Sequence, residues 1–190
     1  MKVLAINSSP RKKGNTSILL QTVLGEIESE GIETELFQVG RDVIRGCIAC
    51  YKCFEKKDQH CTQTQDGLND LLDKMLAADG ILLGSPTYFC NVNSNMKSII
   101  DRVGLVSGAN DYMFRHKVGA AVSAVRRAGS IPALTAMNLF FLYNHMIIPG
   151  SSYWNLGIGR NPGEVEKDDE GLATMRNLGQ NMAWVLKKLR

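Results

Sequence analysis

Three observations predict an α/β fold built on one parallel sheet with helices on both faces. Short strand-like runs alternate with helical patterns along the whole chain. The run KVLAI at 2–6 is apolar after its lysine and ILLG at 81–84 is apolar throughout, as strands covered on both sides are. Several runs also end in a polar loop that leads into a helix, the connection that parallel neighbours require.

Strand one is Lys2–Ile6, and it stops at Asn7-Ser8-Ser9-Pro10-Arg11-Lys12-Lys13-Gly14-Asn15-Thr16-Ser17. Leu19, Leu20, Val23, Leu24 and Ile27 then recur at helical spacing, so the first helix runs from about Thr16 to Glu30. Gly31 ends it, and Ile32–Val39 alternates as strand two. Residues 41–65 are polar, irregular and rich in cysteine: a loop insertion long enough to need a reason for being ordered. Asp66 caps a helix that carries Leu68, Leu71, Leu72, Met75 and Leu76 on one face. Asp79-Gly80 turns the chain into strand three, Ile81–Gly84, which ends in a loop from Ser85 to Asn91.

A helix from Asn93 to Val103 and a loop from Val106 to His116 lead to strand four, Lys117–Val125. Arg126-Arg127-Ala128-Gly129 bounds that strand, and Pro132 suits the first turn of a helix reaching about Asn144. Met146–Ile148 is expected as strand five, and a last helix from about Lys167 shows Leu172, Met175, Leu178, Met182 and Val185 in register. Right-handed crossovers leave few topologies, and five strands fit the flavodoxin-like order 2-1-3-4-5. Ligands of such sheets sit at the carboxyl ends of the strands, where the loops after strands one, three and four converge.

A chain of 190 residues fits a single domain, 1–190, with a substantial core. A net charge of +3 and the lack of a basic tract argue against nucleic acid as a partner. No apolar run approaches about 18 residues, so a membrane span is not expected. The chain enters a strand at its second residue without a signal-like segment, which gives a cytoplasmic expectation with reduced thiols.

The loop after strand one is a phosphate-binding design. A helix N-terminus offers unpaired N–H groups, the Ser and Thr hydroxyls add donors, and Arg11 can fork onto phosphate oxygens. It has neither G-x-x-x-x-G-K-[ST] nor G-x-G-x-x-G. Many hydroxyls with little fixed cationic charge suit a terminal monophosphate. The alternative is an ordinary turn capped by Asn15 or Ser9 with nothing bound.

The most specific pattern is Cys47-x2-Cys50-x2-Cys53-x7-Cys61. In a reducing compartment such a cluster points to metal rather than disulfides. Three thiolates three residues apart can wrap one cuboidal cluster, and the fourth can close it. The bacterial ferredoxin run has a similar first half, but its last cysteine precedes proline and serves another cluster, whereas residue 62 here is Thr. The expectation is one 4Fe–4S cluster on Cys47, Cys50, Cys53 and Cys61. Zinc, and cysteines that hold no cluster, are the alternatives. His60 is either a further ligand or a surface histidine, and Cys90 is read as packing. No catalytic triad or paired-carboxylate arrangement is evident.

Ser9-Pro10-Arg11 with Gly14-Asn15-Thr16, then Gly84-Ser85-Pro86-Thr87-Tyr88-Phe89, then Lys97 and Asp101-Arg102 resemble the NAD(P)H-dependent FMN reductase family. The cysteine run is similar to that of its iron–sulfur flavoprotein branch. The resemblance implies a flavodoxin-like fold, bound FMN, and a homodimer or homotetramer with flavins near subunit contacts. It places the FMN phosphate on Ser9, Arg11, Asn15, Thr16 and Ser17. Ser85, Pro86, Thr87, Tyr88 and Phe89 would run along the isoalloxazine ring, with Tyr88 or Phe89 packed on the ring or in the core. Asn91 would face the ring edge or serve its turn. Arg126, Arg127 and Gly129 would cover the pyrimidine end, or the arginines would be a solvated pair. This chain lacks the richer glycine run often found there. Lys97, Asp101 and Arg102 are assigned to the helix and a subunit contact.

The function expected is electron transfer between a ferredoxin-like or NAD(P)H donor and an acceptor, through the cluster and FMN, with no side chain acting as catalyst because the flavin carries the chemistry. The rivals are an NAD(P)H-dependent flavin or quinone reductase without a cluster, and a flavodoxin-like FMN-binding module without turnover.

Overall fold

The computed structural model describes residues 1–40 and 42–189. Arg41, the first residue of the expected loop insertion, lies outside the described residues. Five parallel strands form one sheet in the order β2-β1-β3-β4-β5. They are β1 (Lys2–Asn7), β2 (Glu33–Gln38), β3 (Gly80–Pro86), β4 (Val118–Val125) and β5 (Leu156–Ile158). The helices are α1 (Asn15–Ser29), α2 (Lys52–Lys56), α3 (Leu68–Ala77), α4 (Ser94–Ala109), α5 (Ser130–Tyr143) and α6 (Asp169–Lys188), with a 3-10 turn at Glu164–Lys167.

Successive side chains of a strand point to opposite faces, and β1 divides its residues accordingly. Leu4 and Ile6 join the layer under α3, α4 and α5, with Leu72, Ile99, Val103 and Phe141. Val3 and Ala5 join the layer under α1 and α6, with Leu20, Val23, Leu178 and Met182. Both faces are covered, which is why the central strands carry polar residues only near their ends, Lys2 at the start of β1 and Asn7, Ser85 and Ser123 towards the carboxyl ends.

Strand five is not where periodicity placed it. Met146–Ile148 supplies only an isolated parallel bridge, Ile147 to Val118, while the paired strand is Leu156–Ile158 beside Ser123–Val125. The fifth position alongside β4 is thus used twice, at its start and at its end. Pro149, which has no amide hydrogen to donate, follows at once where the first stretch stops. Helix α4 runs from the expected end at Val103 on to Ala109, because Val106 and Ala109 continue the buried face. Gly67 rather than Asp66 holds the cap position of α3; Asp66, one residue earlier, still accepts from the Leu68 amide through Oδ1 at 3.4 Å and gives Oδ2 to Arg102. Among the described residues no helix is long and apolar enough to cross a membrane.

Candidate functional site

The loop after β1 is held from three directions. Buried Asn7 donates from Nδ2 to Gln38 Oε1 at 2.7 Å and accepts from the Ser9 amide at 3.0 Å. Gln38 Nε2 donates in turn to the Ser9 carbonyl at 2.7 Å. Ser8 donates from both its amide and its hydroxyl to the Gly84 carbonyl at 3.0 Å, tying the loop to β3. From the other side Asn93 Nδ2 reaches the Ser8 carbonyl at 2.7 Å.

The loop opens α1 at Gly14, which has extended backbone and provides no side-chain cap. A Cβ at Gly14 would lie 2.9 Å from the Arg11 Cβ, so the turn requires glycine. The expected caps are therefore corrected: neither Asn15 nor Ser9 fills that role. Among the described residues the amides of Asn15, Thr16 and Ser17 and the hydroxyls of Thr16 and Ser17 have no hydrogen-bond partner. Uncapped amides at the positive end of a helix, beside two free hydroxyls, form an anion cradle. Arg11 is exposed at its rim, and Ser9 Oγ accepts from the Arg11 amide at 3.2 Å. Asn15 turns its side chain away: its Oδ1 accepts from the amides of Gly163 at 2.9 Å and Val165 at 3.4 Å. It anchors the C-terminal loop rather than pointing into the cradle.

The loop after β3 forms a second wall. Ser85 is fully buried, and Thr87 is fixed by its amide to the Ala124 carbonyl (2.8 Å) and by a 2.8 Å hydroxyl pairing with Ser123. Tyr88 and Asn91 exchange two backbone hydrogen bonds, which places Phe89 and Cys90 at the centre of a tight turn with φ of 47° and 57°. Left-handed backbone at two successive non-glycine residues costs energy, and such strain collects where a loop must present a particular surface. Core packing of the aromatics is not what the fold does: Tyr88 is half exposed and Phe89 fully so. Asn91 Oδ1 accepts from the Val92 amide, so its side chain serves the turn.

Gly129, with φ +91°, packs against this turn; a Cβ there would lie 2.8 Å from Cys90 Sγ and 2.9 Å from Cys90 Cα. The loops after β3 and β4 are thereby in contact. Arg126 and Arg127 are exposed and form no ion pair among the described residues.

The cysteine segment is ordered by α4. Cys47, Cys50, Cys53 and Cys61 line one small cavity together with Thr62, Gln63, Arg102, Leu105 and Val106. Left-handed backbone at Ala49 and Tyr51 curls the chain around it, the alternation that turns successive N–H groups inward at many iron–sulfur sites. The Ala49 amide donates to Cys47 Sγ at 3.4 Å, and Cys50 Sγ lies 3.7 Å from the Thr62 hydroxyl. A hydrogen bond from the Lys52 amide, and then one from Thr62, hold the Cys50 thiol below its ordinary range, whereas burial pushes Cys53 up. Among the described residues no group of three or more His, Cys, Asp or Glu side chains is arranged around a single-ion position. Four cysteines that line one small cavity are a donor set with the chemistry of a thiolate-bound metal site.

Arg102 and Asp66 are the residues that sequence reasoning missed here. Both side chains are buried and form an ion pair, and Arg102 also donates from Nη1 to the Arg45 carbonyl (3.2 Å) and from Nη2 to the Gln63 carbonyl (2.8 Å). Burial raises the Asp66 carboxyl, but hydrogen bonds from Arg102 and the Arg45 amide outweigh it and hold the group below its usual value. Arg102 is thus an internal staple of this segment, not a subunit contact. Asn93 was also missed as a site residue, although an Asn directly before an apolar helical pattern marks a cap. His60 bonds Asp73 at 2.9 Å and takes no place among the cysteines.

The match to the family model described as NADPH-dependent FMN reductase covers residues 1–161. An iron–sulfur flavoprotein of Methanocaldococcus jannaschii is 38% identical over 197 residues, spanning the whole of both chains. One of Methanosarcina thermophila is 29% identical over all of this chain and 97% of its own. Among solved structures, RosB with a bound 8-demethyl-8-formylriboflavin-5'-phosphate intermediate superposes with a TM-score of 0.80 at 20% identity, over all of this chain and 80% of that one. The NAD(P)H:quinone oxidoreductase of Methanothermobacter marburgensis gives 0.65 at 13% identity, over 96% of both, and these two establish the fold alone. With the family model spanning most of the chain and full-length relatives at this identity, the chain belongs to the NADPH-dependent FMN reductase family and is an FMN-binding, flavodoxin-like oxidoreductase of the iron–sulfur flavoprotein type.

Proposed function

We propose that this chain passes electrons between a small redox protein or NAD(P)H and an acceptor, using FMN at the sheet edge and a 4Fe–4S cluster on Cys47, Cys50, Cys53 and Cys61. The observation that carries this reading is that one helix serves both places. Asn93, at the cap of α4, holds the Ser8 carbonyl, while Arg102 on the same helix bonds Cys61 Sγ at 3.4 Å. Nine residues of helix separate them, a rise of roughly 13 Å. When bound, the flavin supplies one- and two-electron chemistry and the cluster one-electron transfer.

The protein groups do the rest. The amides of Thr16 and Ser17, their hydroxyls and Arg11 would hold the phosphate. The Ser85–Phe89 segment and Gly129 would shape the ring site, with exposed Tyr88 and Phe89 free to lie against it, and Arg126 and Arg127 would offer positive charge near it. Asn15 and Asn91 support those loops from outside the contact shell. Exposed Arg45, Lys52, Lys56 and Lys57 flank exposed Ile48 and Tyr51 around the cysteines, a surface that suits an acidic redox protein.

Assembly as a homo-oligomer fits the apolar outer face of α5. Ile131, Leu139 and Leu142 are exposed there, and the groove beside them, about 580 Å³, is walled by exposed Tyr153 and Trp154.

The test is anaerobic purification with FMN, iron and sulfide analysis and turnover assays with NADPH and with reduced ferredoxin. About one FMN and four irons per chain with turnover are expected. FMN without iron but with NADPH turnover would leave the cluster-free reductase, and FMN without turnover would leave a binding module.

A further inference from the structure

Arg102 has a position that stapling the loop does not require. Its side chain is buried, with the residue 1% exposed, and three of its donors satisfy Asp66, the Arg45 carbonyl and the Gln63 carbonyl. The remaining nitrogen, Nε, points at Cys61 Sγ at 3.4 Å. Leu105 and Val106 close the same wall with apolar surface. The donor is buried and Cys61 is partly buried, so this N–H···S bond lies in surroundings less polar than bulk water, where it is strengthened.

We infer that Arg102 sets the reduction potential of the cysteine site, through the hydrogen bond from its Nε to Cys61. This rests on the cluster reading above. The Arg102–Asp66 pair is neutral at a distance, because the carboxylate faces the same guanidinium through Nη1. What Cys61 meets at short range is therefore the Nε–H dipole and the near edge of the cation. On one-electron reduction, by a ferredoxin-like protein or by dithionite in a titration, no bond forms or breaks at Cys61 and no proton moves. Negative charge on its sulfur increases, the donor at Nε interacts more strongly, and the reduced state gains. Hydrogen bonds to cluster sulfurs are a recognised lever on such potentials. The weaker contacts, Ala49 N–H to Cys47 and the Thr62 hydroxyl to Cys50, act in the same direction from more exposed positions.

The experiment uses the anaerobically purified holoprotein and R102K, which keeps the charge and the stem but loses the fork. Iron content is measured first, then the cluster is titrated with dithionite under EPR. The expected result is unchanged iron with reduction of R102K disfavoured about tenfold, a fall of about 59 mV for a one-electron couple. Wild-type protein carrying ¹⁵N-arginine should in addition show ¹⁵N hyperfine coupling to the reduced cluster. A role confined to stapling the loop could shift the potential through the loop, but it would give no ¹⁵N coupling from Arg102 to the cluster. Full iron in both proteins with equal potentials overturns the inference while leaving the cluster reading intact. If R102K fails to load iron, absence of the ¹⁵N coupling in wild type overturns it and presence upholds it. A wild-type chain without iron or sulfide overturns both readings together.

Discussion

Asn93 donates from Nδ2 to the carbonyl of Ser8 at 2.7 Å, across 85 residues of sequence, while its own Oδ1 accepts from the Met96 amide at 3.2 Å. Its amide also donates to Ser85 Oγ at 3.1 Å. One buried residue therefore joins the loop after β1 and the end of β3 to the start of α4.

Replacing Asn93 with Ala removes a helix cap and leaves the buried Ser8 carbonyl unpaired. Each loss is worth about 1–2 kcal/mol. The expected outcome is a lower melting temperature together with FMN binding weakened by about tenfold, read by quenching of flavin fluorescence. Unchanged affinity would mean that the loop keeps its shape without this bond.

The free hydroxyls of Thr16 and Ser17 should act on the phosphate alone. Thr16→Val and Ser17→Ala each remove a hydrogen bond to a charged group, worth about 1.5–3 kcal/mol. FMN affinity should fall roughly tenfold or more for each while riboflavin affinity stays as it is. An equal loss for both ligands would place these residues away from the phosphate.

At Gly129 a methyl group meets Cys90 backbone at 2.9 Å, and the φ of +91° disfavours any side chain. Gly129→Ala should cost about 1–2 kcal/mol or more and shift the flavin absorbance by moving the neighbouring turn. Gly25→Ala, on the exposed side of α1 with nothing near the new Cβ, is the control. It should be neutral or slightly stabilising.

Asp66 gives a pH test. Its folded-state value lies below the unfolded one, so between the two the unfolded chain binds more protons. Stability from this group is complete above the ordinary carboxylate range and is lost as pH falls through the folded value. Asp66→Asn should lower stability at neutral pH by about 3 kcal/mol, since it leaves Arg102 buried without its partner. It should also flatten the acid limb of urea-denaturation stability plotted against pH. A variant whose acid limb matches wild type would exclude the pair as its origin.

The residues that build the sheet were readable because their physics is local. Strand-forming runs that are apolar on both faces occur at Lys2–Ile6 and Ile81–Gly84, and Val118–Val125 is fully buried as the small-residue run at 117–125 suggested. The fifth strand was misplaced because Met146–Ile148 and Leu156–Ile158 are both short and apolar, and only pairing with β4 distinguishes them. Local spacing could not reveal that Asn15 serves Gly163 and Val165, some 150 residues away.

By itself the chain's sequence determined the α/β architecture, the hydroxyl-rich cradle at the start of α1 and the four-cysteine spacing, since each is written in contiguous residues. Only the tertiary structure decided that Phe89 stands in solvent, that Gly129 closes on Cys90, and that Asn93 and Arg102 hold the two sites from a single helix. The physical reason is that a polar side chain's partner is fixed by which loops the sheet brings to its edge. Buried donors such as Arg102 take whatever acceptors folding leaves within reach, and no periodicity encodes that choice.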